Sequence, residues 1–226
     1  MQIRIASYNL HKCRGMTGPH DPGRNLAVIR ELDADIVALQ EVDFRFGARP
    51  EALPRRLVRE ATGLAPAEFV GTGKESLGWH GQTILARPAL LDDGSIRRLP
   101  LPGLEPRGAL ALTLPGITVV GVHLGLLRSS RRAQLDRLIR HLTRREGECA
   151  ILGDFNEWRD DLGLEPLAGM HLLTPGRTWP ALAPRLRLDR FALSTGVRIV
   201  NSGAHDTPLA RAASDHLPIW ADIEIG

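Results

Sequence analysis

Between Ala67 and Leu124 the chain carries a succession of short apolar runs, "AEFV", "GQTILAR", "SIRRL", "GALALTL" and "ITVVGVHL", broken by Gly, Pro and Asp. Runs of 4 to 8 residues that end in turn formers are too short for helices and suit strands. The same pattern recurs at both ends. "IRIASYNL" alternates as a strand, "DIVALQEV" is a buried one, and "CAILGDF", "DRFAL", "VRIVNS" and "PIWADIEI" follow later. So many short strands cannot share one core unless they stack as sheets.

Helical spacing is confined to a few segments. "RNLAVIREL" places Leu26, Ile29 and Leu32 on one face, and "SSRRAQLDRLIRHLTRR" does the same with Leu135, Leu138, Ile139 and Leu142. "EALPRRLVREATG" reads as a helix with Leu53 and Leu57 inward and Gly63 as its stop, provided Pro54 sits in the first turn. Strands in runs with helices between them predict an α+β chain, two sheets packed together and covered by helices. No repeat, low-complexity stretch or long linker interrupts the 226 residues, so a single domain over 1–226 is expected.

Composition removes several function classes. With 43% hydrophobic residues the chain can fill a core, yet no apolar run approaches the roughly 20 residues of a membrane span. "MQIRIASYNL" enters a strand at once and lacks the layout of a signal peptide, which points to a cytoplasmic protein. Cys13 and Cys149 are the only cysteines, too few for a disulfide framework and without CxxC spacing, so both are expected as reduced thiols. The net charge is +3, carried mostly by arginine, since Lys12 and Lys74 are the only lysines. Arginine suits phosphate, but so small an excess does not favour a nucleic-acid partner. The runs "RSSRR" and "TRREGE" flank the longest helical pattern and read as a solvated face.

The strand ends carry the chemistry. Asn9 closes the first strand pattern, Glu41 follows "DIVALQ", His123 closes "ITVVGVH", Asp154 and Asn156 end "CAILGDFN", Asp189 opens "DRFAL", and Ser214, Asp215 and His216 precede the last strand. Each alone is an ordinary cap, turn or core histidine. Alternation would send Asp154 and Asn156 to one surface and Phe155 to the other, although "GDFN" also reads as a plain turn. Together these carboxylates, carboxamides and imidazoles are the groups that bind a hard cation and steer a phosphate.

The segments "SYNLHK", "ALQEVD", "EPRGAL", "VHLGLLRSSRRAQ", "LGDFN", "TWPALAPRLRLDRF" and "SDHLPI", spread from residue 5 to residue 220, resemble in order the signature of the endonuclease/exonuclease/phosphatase superfamily, the group related to DNase I, and in particular its short bacterial members. The resemblance implies a four-layer α/β sandwich of two mixed sheets with the site at one edge, and divalent-metal hydrolysis of phosphoesters. By motif, Glu41 and Asn9 would hold Mg²⁺ or Mn²⁺, with Asp215 completing or sharing the ion. Asp154 would take the proton of the attacking water, and Asn156 would orient that water or the phosphate. Asp189 would keep His216 oriented and protonated, while His123 and Arg107 would add donors around the phosphate.

His11, Lys12, Trp79, His80 and Trp179 are the candidate substrate-binding residues, with the glycines of "GWHG" expected to expose Trp79. Two departures from the pattern stand out. Gly81, Gln82 and Thr83 replace the Gly-Asn-Ala of many relatives, and Cys13 stands where they often have Gly, so that it would narrow the pocket or be open to oxidation. The expected activity is hydrolysis of a phosphodiester or phosphomonoester, small or lipid-derived, by a monomer. Cleavage of DNA or RNA is the alternative, and a catalytically silent binding module of the same fold is a weaker one.

Overall fold

The computed structural model describes residues 1–44, 47–68, 75–159 and 162–226. Its strands are β1 (Gln2–Asn9), β2 (Ile36–Gln40), β3 (Ala65–Pro66), β4 (Gln82–Ala86), β5 (Ser95–Pro100), β6 (Gly108–Leu114), β7 (Ile117–His123), β8 (Glu148–Asp154), β9 (His171–Leu173), β10 (Asp189–Leu193), β11 (Val197–Ala204) and β12 (Ile219–Ile225). They form two six-stranded mixed sheets, ordered β11-β12-β1-β2-β4-β3 and β5-β6-β7-β8-β10-β9. The helices are α1 (Pro22–Leu32), α2 (Arg55–Thr62), α3 (Pro88–Asp92), α4 (Arg128–Leu142) and α5 (Pro208–Ala213).

Both sheets are built on one scheme. At the centre of the first, β1 and β2 run parallel and are joined through α1; at the centre of the second, β7 and β8 run parallel and are joined through α4. The flanking pairings are antiparallel. A parallel pair requires a crossover, and the two clearest helical patterns in the chain supply it.

Three apolar layers hold the stack together. Ile5, Ile36 and Ile84 of the first sheet meet Leu110, Leu112, Val119, Leu152 and Phe191 of the second. Gly121 allows the close approach here, since a Cβ on it would lie 3.1 Å from the Ala38 Cβ. On the outer face of the first sheet, Tyr8, Val37 and Leu39 pack under Val28, Ile29, Val58 and Ala210. On the other side, Leu135, Leu138 and Leu142 of α4 cover Val120, Val122 and Ile151. The result is the four-layer α+β sandwich. Strands buried on both faces, such as β2, β7 and β10, therefore read as continuous apolar runs, whereas β12 alternates.

Several sequence expectations change in detail. Helix α2 starts at Arg55 with Pro54 as its N-cap, and Gly63 takes the left-handed C-cap position at φ 74°. Of the expected strand "AEFV", Phe69 and Val70 lie outside the described residues, and the observed pairing is at Ala65–Pro66. Helices α3 and α5 and strand β9 have no expected counterpart; for α5 the signal was Thr207, whose hydroxyl caps the Ala210 N–H ahead of Pro208.

The "RSSRR" run is not wholly solvated. Arg131 is 3% exposed and donates to the Gly125 and Leu126 carbonyls and to Glu157, at 3.1, 2.6 and 2.6 Å. Glu157 is fully buried and also takes Arg128 at 3.1 Å. Burial opposes its charge, yet the bonds from the two arginines hold its carboxyl below the usual range. No helix is long and apolar enough to cross a membrane among the described residues.

Candidate active site

Because β1 and β2 run parallel, and so do β7 and β8, their C-terminal ends reach one edge of the stack. Register then sets the neighbours: His123 is level with Asp154 across β7 and β8, and Asp154 is level with Asp189 across β8 and β10. Asn9 lies level with Gln40, one residue before Glu41. The loop ahead of β12 brings Ser214, Asp215 and His216 to the same edge, where the Ser214 hydroxyl donates to the Asn9 carbonyl at 2.6 Å. A cleft of about 410 Å³ opens there, bordered among the described residues by Asn9, Glu41, Arg107, His123, Asp154, Asn156, Asp215 and His216, with Trp179, Trp158, Leu126, Leu186 and Leu188 as its apolar part.

Asp154 is the hub. Its Oδ2 lies 3.2 Å from the Asn9 Nδ2, 3.4 Å from the His123 Nε2 and 3.8 Å from the His216 Nε2, and its Oδ1 accepts the Asn156 N–H at 2.8 Å. Burial pushes the carboxyl up to about 6; Asp189 adds to the rise, while His216, the Asn156 N–H and Asn9 oppose it. His216 pairs through Nδ1 with the Asp189 Oδ2 at 2.9 Å, and that oxygen also accepts the Thr178 hydroxyl at 2.6 Å. Burial disfavours the imidazolium, but Asp189 and Asp154 outweigh burial and raise it to about 10. At neutral pH a cationic His216 thus stands between two carboxylates.

Asp154, Asp189 and His216 also form the one cluster, among the described residues, whose possible ligand atoms all lie within 4.8 Å of one another. A protonated imidazole already supplies the positive charge at that spot and leaves no lone pair for an ion. The oxygen donors Asn9, Glu41 and Asp215 are a better match to a hard cation, since two carboxylates and a carboxamide border one cleft. In this structure Glu41 is paired with the Lys12 ammonium. Asn9 Oδ1 accepts the His11 N–H at 3.1 Å, and Asp215 accepts the Trp179 indole N–H at 3.3 Å and lies 3.7 Å from the His11 Nδ1.

The remaining expected residues divide. Asn156 reaches the cleft by a turn at φ 52° rather than by strand alternation, and its amide donates to the Leu124 carbonyl at 2.9 Å. Phe155 turns fully into the core under α4. Arg107 borders the cleft but is tied to Glu105 at 2.7 Å. Trp79 does not line this cleft: its ring packs over Gly108, where a Cβ would come within 2.2 Å of the indole, and lies half-buried against the inter-sheet core. Gln82 donates to the Gly108 carbonyl, tying β4 to β6.

Cys13 is fully buried in the outer core, so it neither narrows the cleft nor offers a ready thiolate; burial, with Asp21, pushes its thiol up to about 12. Both cysteines are free thiols. Thr178, which anchors Asp189, and the exposed Trp158 were missed. A threonine just ahead of "WP" and a tryptophan two residues past "GDFN" carry no periodic signal of their own.

Backbone strain marks the same region. Non-glycine residues with left-handed φ include His11, Lys12, Cys13, Glu41, Arg49, His80 and Asn156, while Asp33 caps α1 elsewhere. Strain of this kind costs on the order of 1–3 kcal/mol per residue and persists where surrounding packing enforces a functional geometry.

Residues 6–216 match the family model described as Endonuclease/Exonuclease/phosphatase family. The chain is 31% identical over 225 residues to the uncharacterized protein YbhP of Escherichia coli (strain K12), covering 87% of this chain and 86% of that protein. It superposes on the endonuclease/exonuclease/phosphatase of Beutenbergia cavernae with a TM-score of 0.74 at 22% identity, covering 100% of this chain and 72% of the other. On the Bacteroides thetaiotaomicron mannosyl-6-phosphatase Bt3783 the TM-score is 0.70 at 15% identity, with 99% and 100% covered. Fold, ordered motifs and sequence identity agree: this chain belongs to the endonuclease/exonuclease/phosphatase family.

Proposed function

We propose that the protein is a divalent-metal-dependent phosphoesterase that hydrolyses a phosphomonoester or phosphodiester by attack of an activated water. The observation that carries this reading is the placement of one buried carboxylate, Asp154, within 4 Å of Asn9, His123 and the charged His216 at the mouth of a cleft. A carboxyl near 6 is ionised at neutral pH yet basic enough to accept a proton, which is what a general base requires.

In the proposed reaction Asp154 removes a proton from water as the water oxygen attacks phosphorus, and the bond from phosphorus to the leaving oxygen breaks. His216, held by Asp189, donates a hydrogen bond to a phosphoryl oxygen as negative charge grows there. His123 and Arg107 supply further donors, and the Asn156 backbone N–H keeps the Asp154 carboxylate oriented. Asn9, Glu41 and Asp215 would hold Mg²⁺ or Mn²⁺, which when bound supplies Lewis-acid stabilisation of phosphoryl charge.

The leaving group is less polar than a bare sugar phosphate on this reading. Trp158 and Leu126 border the cleft while 57% and 66% exposed, and Trp179 and Leu186 continue the apolar wall, which supports a lipid-derived or aromatic ester. An indole can also stack on a base, so single-stranded nucleic acid is the second reading.

The test is a hydrolysis panel of purified protein with Mg²⁺ or Mn²⁺ and with EDTA. It spans aryl phosphates, phospholipids, nucleotides, plasmid DNA and RNA, with Asp154→Asn as control. Turnover of a small or lipid ester that needs metal and Asp154 is expected. Undiminished turnover in EDTA would sink the metal-dependent reading, and rapid nicking of plasmid would promote the nuclease.

A further inference from the structure

Beside the cleft, and sharing Glu41, Arg107 and His123 with it, lies a smaller hollow of about 60 Å³ bordered by Lys12, Asp43, Arg49, His80 and Gly81. None of the proposed chemistry uses Asp43 or Arg49. Asp43 is only 2% exposed, an unusual place for a carboxylate, and it is fully engaged: the Ser76 hydroxyl donates to Oδ2 at 2.6 Å and the Arg49 Nη2 to Oδ1 at 3.1 Å. Such a pair in the interior adds little net stability, because desolvation offsets the attraction. What it does achieve is to fix the Arg49 guanidinium through one nitrogen. The Arg49 Nε is buried and has no hydrogen-bond partner in the described structure, and neither has the buried Nδ1 of His80.

The backbone is arranged around the same hollow. Arg49 and His80 both hold left-handed φ, 55° and 51°, and Gly81 follows at 81°. A Cβ on Gly81 would meet the Asp43 Oδ1 and the Arg49 Nη2 at ordinary contact distances of 3.4 and 3.5 Å, so it is the positive φ that favours glycine at this wall of the hollow, beside the ion pair. His80 is neutral at neutral pH, because burial and then Arg49 lower its pKa, and it acts there by hydrogen bonding rather than by charge. The arrangement is an anchored arginine with spare donors, a neutral imidazole, and Lys12 and Arg107 at the border.

We infer that this hollow is a second anion subsite, and that the preferred substrate carries a second phosphate or equivalent anionic group beside the phosphoester that is hydrolysed. The inference rests on the proposed phosphoesterase activity for its kinetic test but not for its binding test. Arg49 is the specificity residue. Asp43 and Ser76 are positioning residues that act through it. Arginine suits the place because its planar fork can hold Asp43 with one nitrogen and an oxyanion with the others.

The variant of choice is Asp43→Asn combined with Arg49→Gln, since Arg49→Gln alone would strand a buried carboxylate and could unfold the loop. Binding is read by calorimetry in EDTA, with inorganic phosphate and pyrophosphate as probes. The wild type should bind pyrophosphate at least 10-fold more tightly than phosphate, and the double variant should lose that difference while its circular dichroism and melting temperature stay close to wild type. Arg49→Lys, which keeps the charge but not the fork, should recover only part of it.

Kinetics with the aryl ester benzene-1,2-diyl bisphosphate against phenyl phosphate should show the same preference in kcat/KM, lost in the variant through KM. Equal wild-type affinity for the two probes, or a preference that survives in the double variant, would overturn the subsite. An enzyme inactive on every ester that still shows Arg49-dependent pyrophosphate binding would overturn the phosphoesterase reading and leave the subsite standing.

Discussion

The Asp189 Oδ2 lies 2.9 Å from the Nδ1 of His216, although Asp189 opens β10 of one sheet and His216 sits 27 positions later, in the loop that leads into β12 of the other. Bound in this way, the imidazole has its Nε2 turned toward Asp154, 3.8 Å away. If the pair acts as one unit, its losses cannot multiply. Asp189→Asn and His216→Ala should each lower kcat by roughly 10²-fold or more, and the double variant should be scarcely slower than the worse single one. A double-mutant cycle in kcat/KM checks this, and multiplying losses would show that Asp189 and His216 act separately.

Asp154→Asn is expected to lower kcat by about 10³-fold or more while KM changes little, because a general base is needed only in the transition state. The asparagine can keep the Asn156 N–H on its carbonyl oxygen, and it removes a carboxylate that burial already disfavours. The melting temperature should therefore hold or rise. Steady-state kinetics beside a thermal melt separates the two effects, and a fully active variant would return "GDFN" to an ordinary turn.

The charged His216 gives the metal-free protein a stability that depends on pH. Its folded pKa of about 10 exceeds the ordinary 6.5, so its contribution is complete below about pH 6.5 and disappears as pH rises through about 10. Asp154 has the same sign in a lower window: its pKa is raised from 3.8 to about 6, so its share is present below about 3.8 and gone above about 6. In EDTA, wild type should melt well above His216→Asn at pH 7, and the gap should narrow steadily from about pH 7 to about pH 10. A gap that does not change with pH would mean that His216 is neutral in the folded state.

Glu41→Gln should raise the Mg²⁺ or Mn²⁺ concentration needed for half-maximal activity. A readout free of turnover is the rise in melting temperature on adding Mg²⁺, which binding to the folded state alone produces. That rise should be clear in wild type and small in Glu41→Gln. Lys12→Met should enlarge it, since the Lys12 ammonium occupies Glu41 in this structure. Equal shifts in all three proteins would remove Glu41 from the metal site.

Removing Glu157 should be the most damaging change outside the cleft. Its fully buried carboxylate holds Arg131, itself 3% exposed, at 2.6 Å. Glu157→Ala leaves that guanidinium buried without its partner and should cost on the order of 3–5 kcal/mol, read by urea denaturation. Arg128→Ala, which removes the half-exposed partner of the same carboxylate, should cost roughly 1 kcal/mol or less.

Much of the architecture was legible in one dimension because its causes are local. Continuous apolar runs require strands buried on both faces, and the spacing of Leu135, Leu138 and Leu142 requires a helix with one covered side. The polar strand ends follow from the same logic, since a strand that leaves the core must stop on groups that water or a ligand can satisfy. "GDFN", "LDR" and "SDHLP" in that order were enough to name the family, and the matched family model spans residues 6–216.

Sequence spacing could not reveal which ends meet. That Asp154 faces Asn9, His123 and His216 follows from two parallel strand pairs finishing at one edge and from the register of β10 on β8. The fate of individual side chains was also a tertiary matter. Trp79 is drawn against the inter-sheet core by the gap above Gly108, and Cys13 faces away from the cleft because its turn directs it under α1. Arg131 of α4 is buried because Glu157 comes from the loop after β8 to meet it. Desolvation decides these charges, and it depends on what closes over a group in space, which neither residue type nor periodicity records.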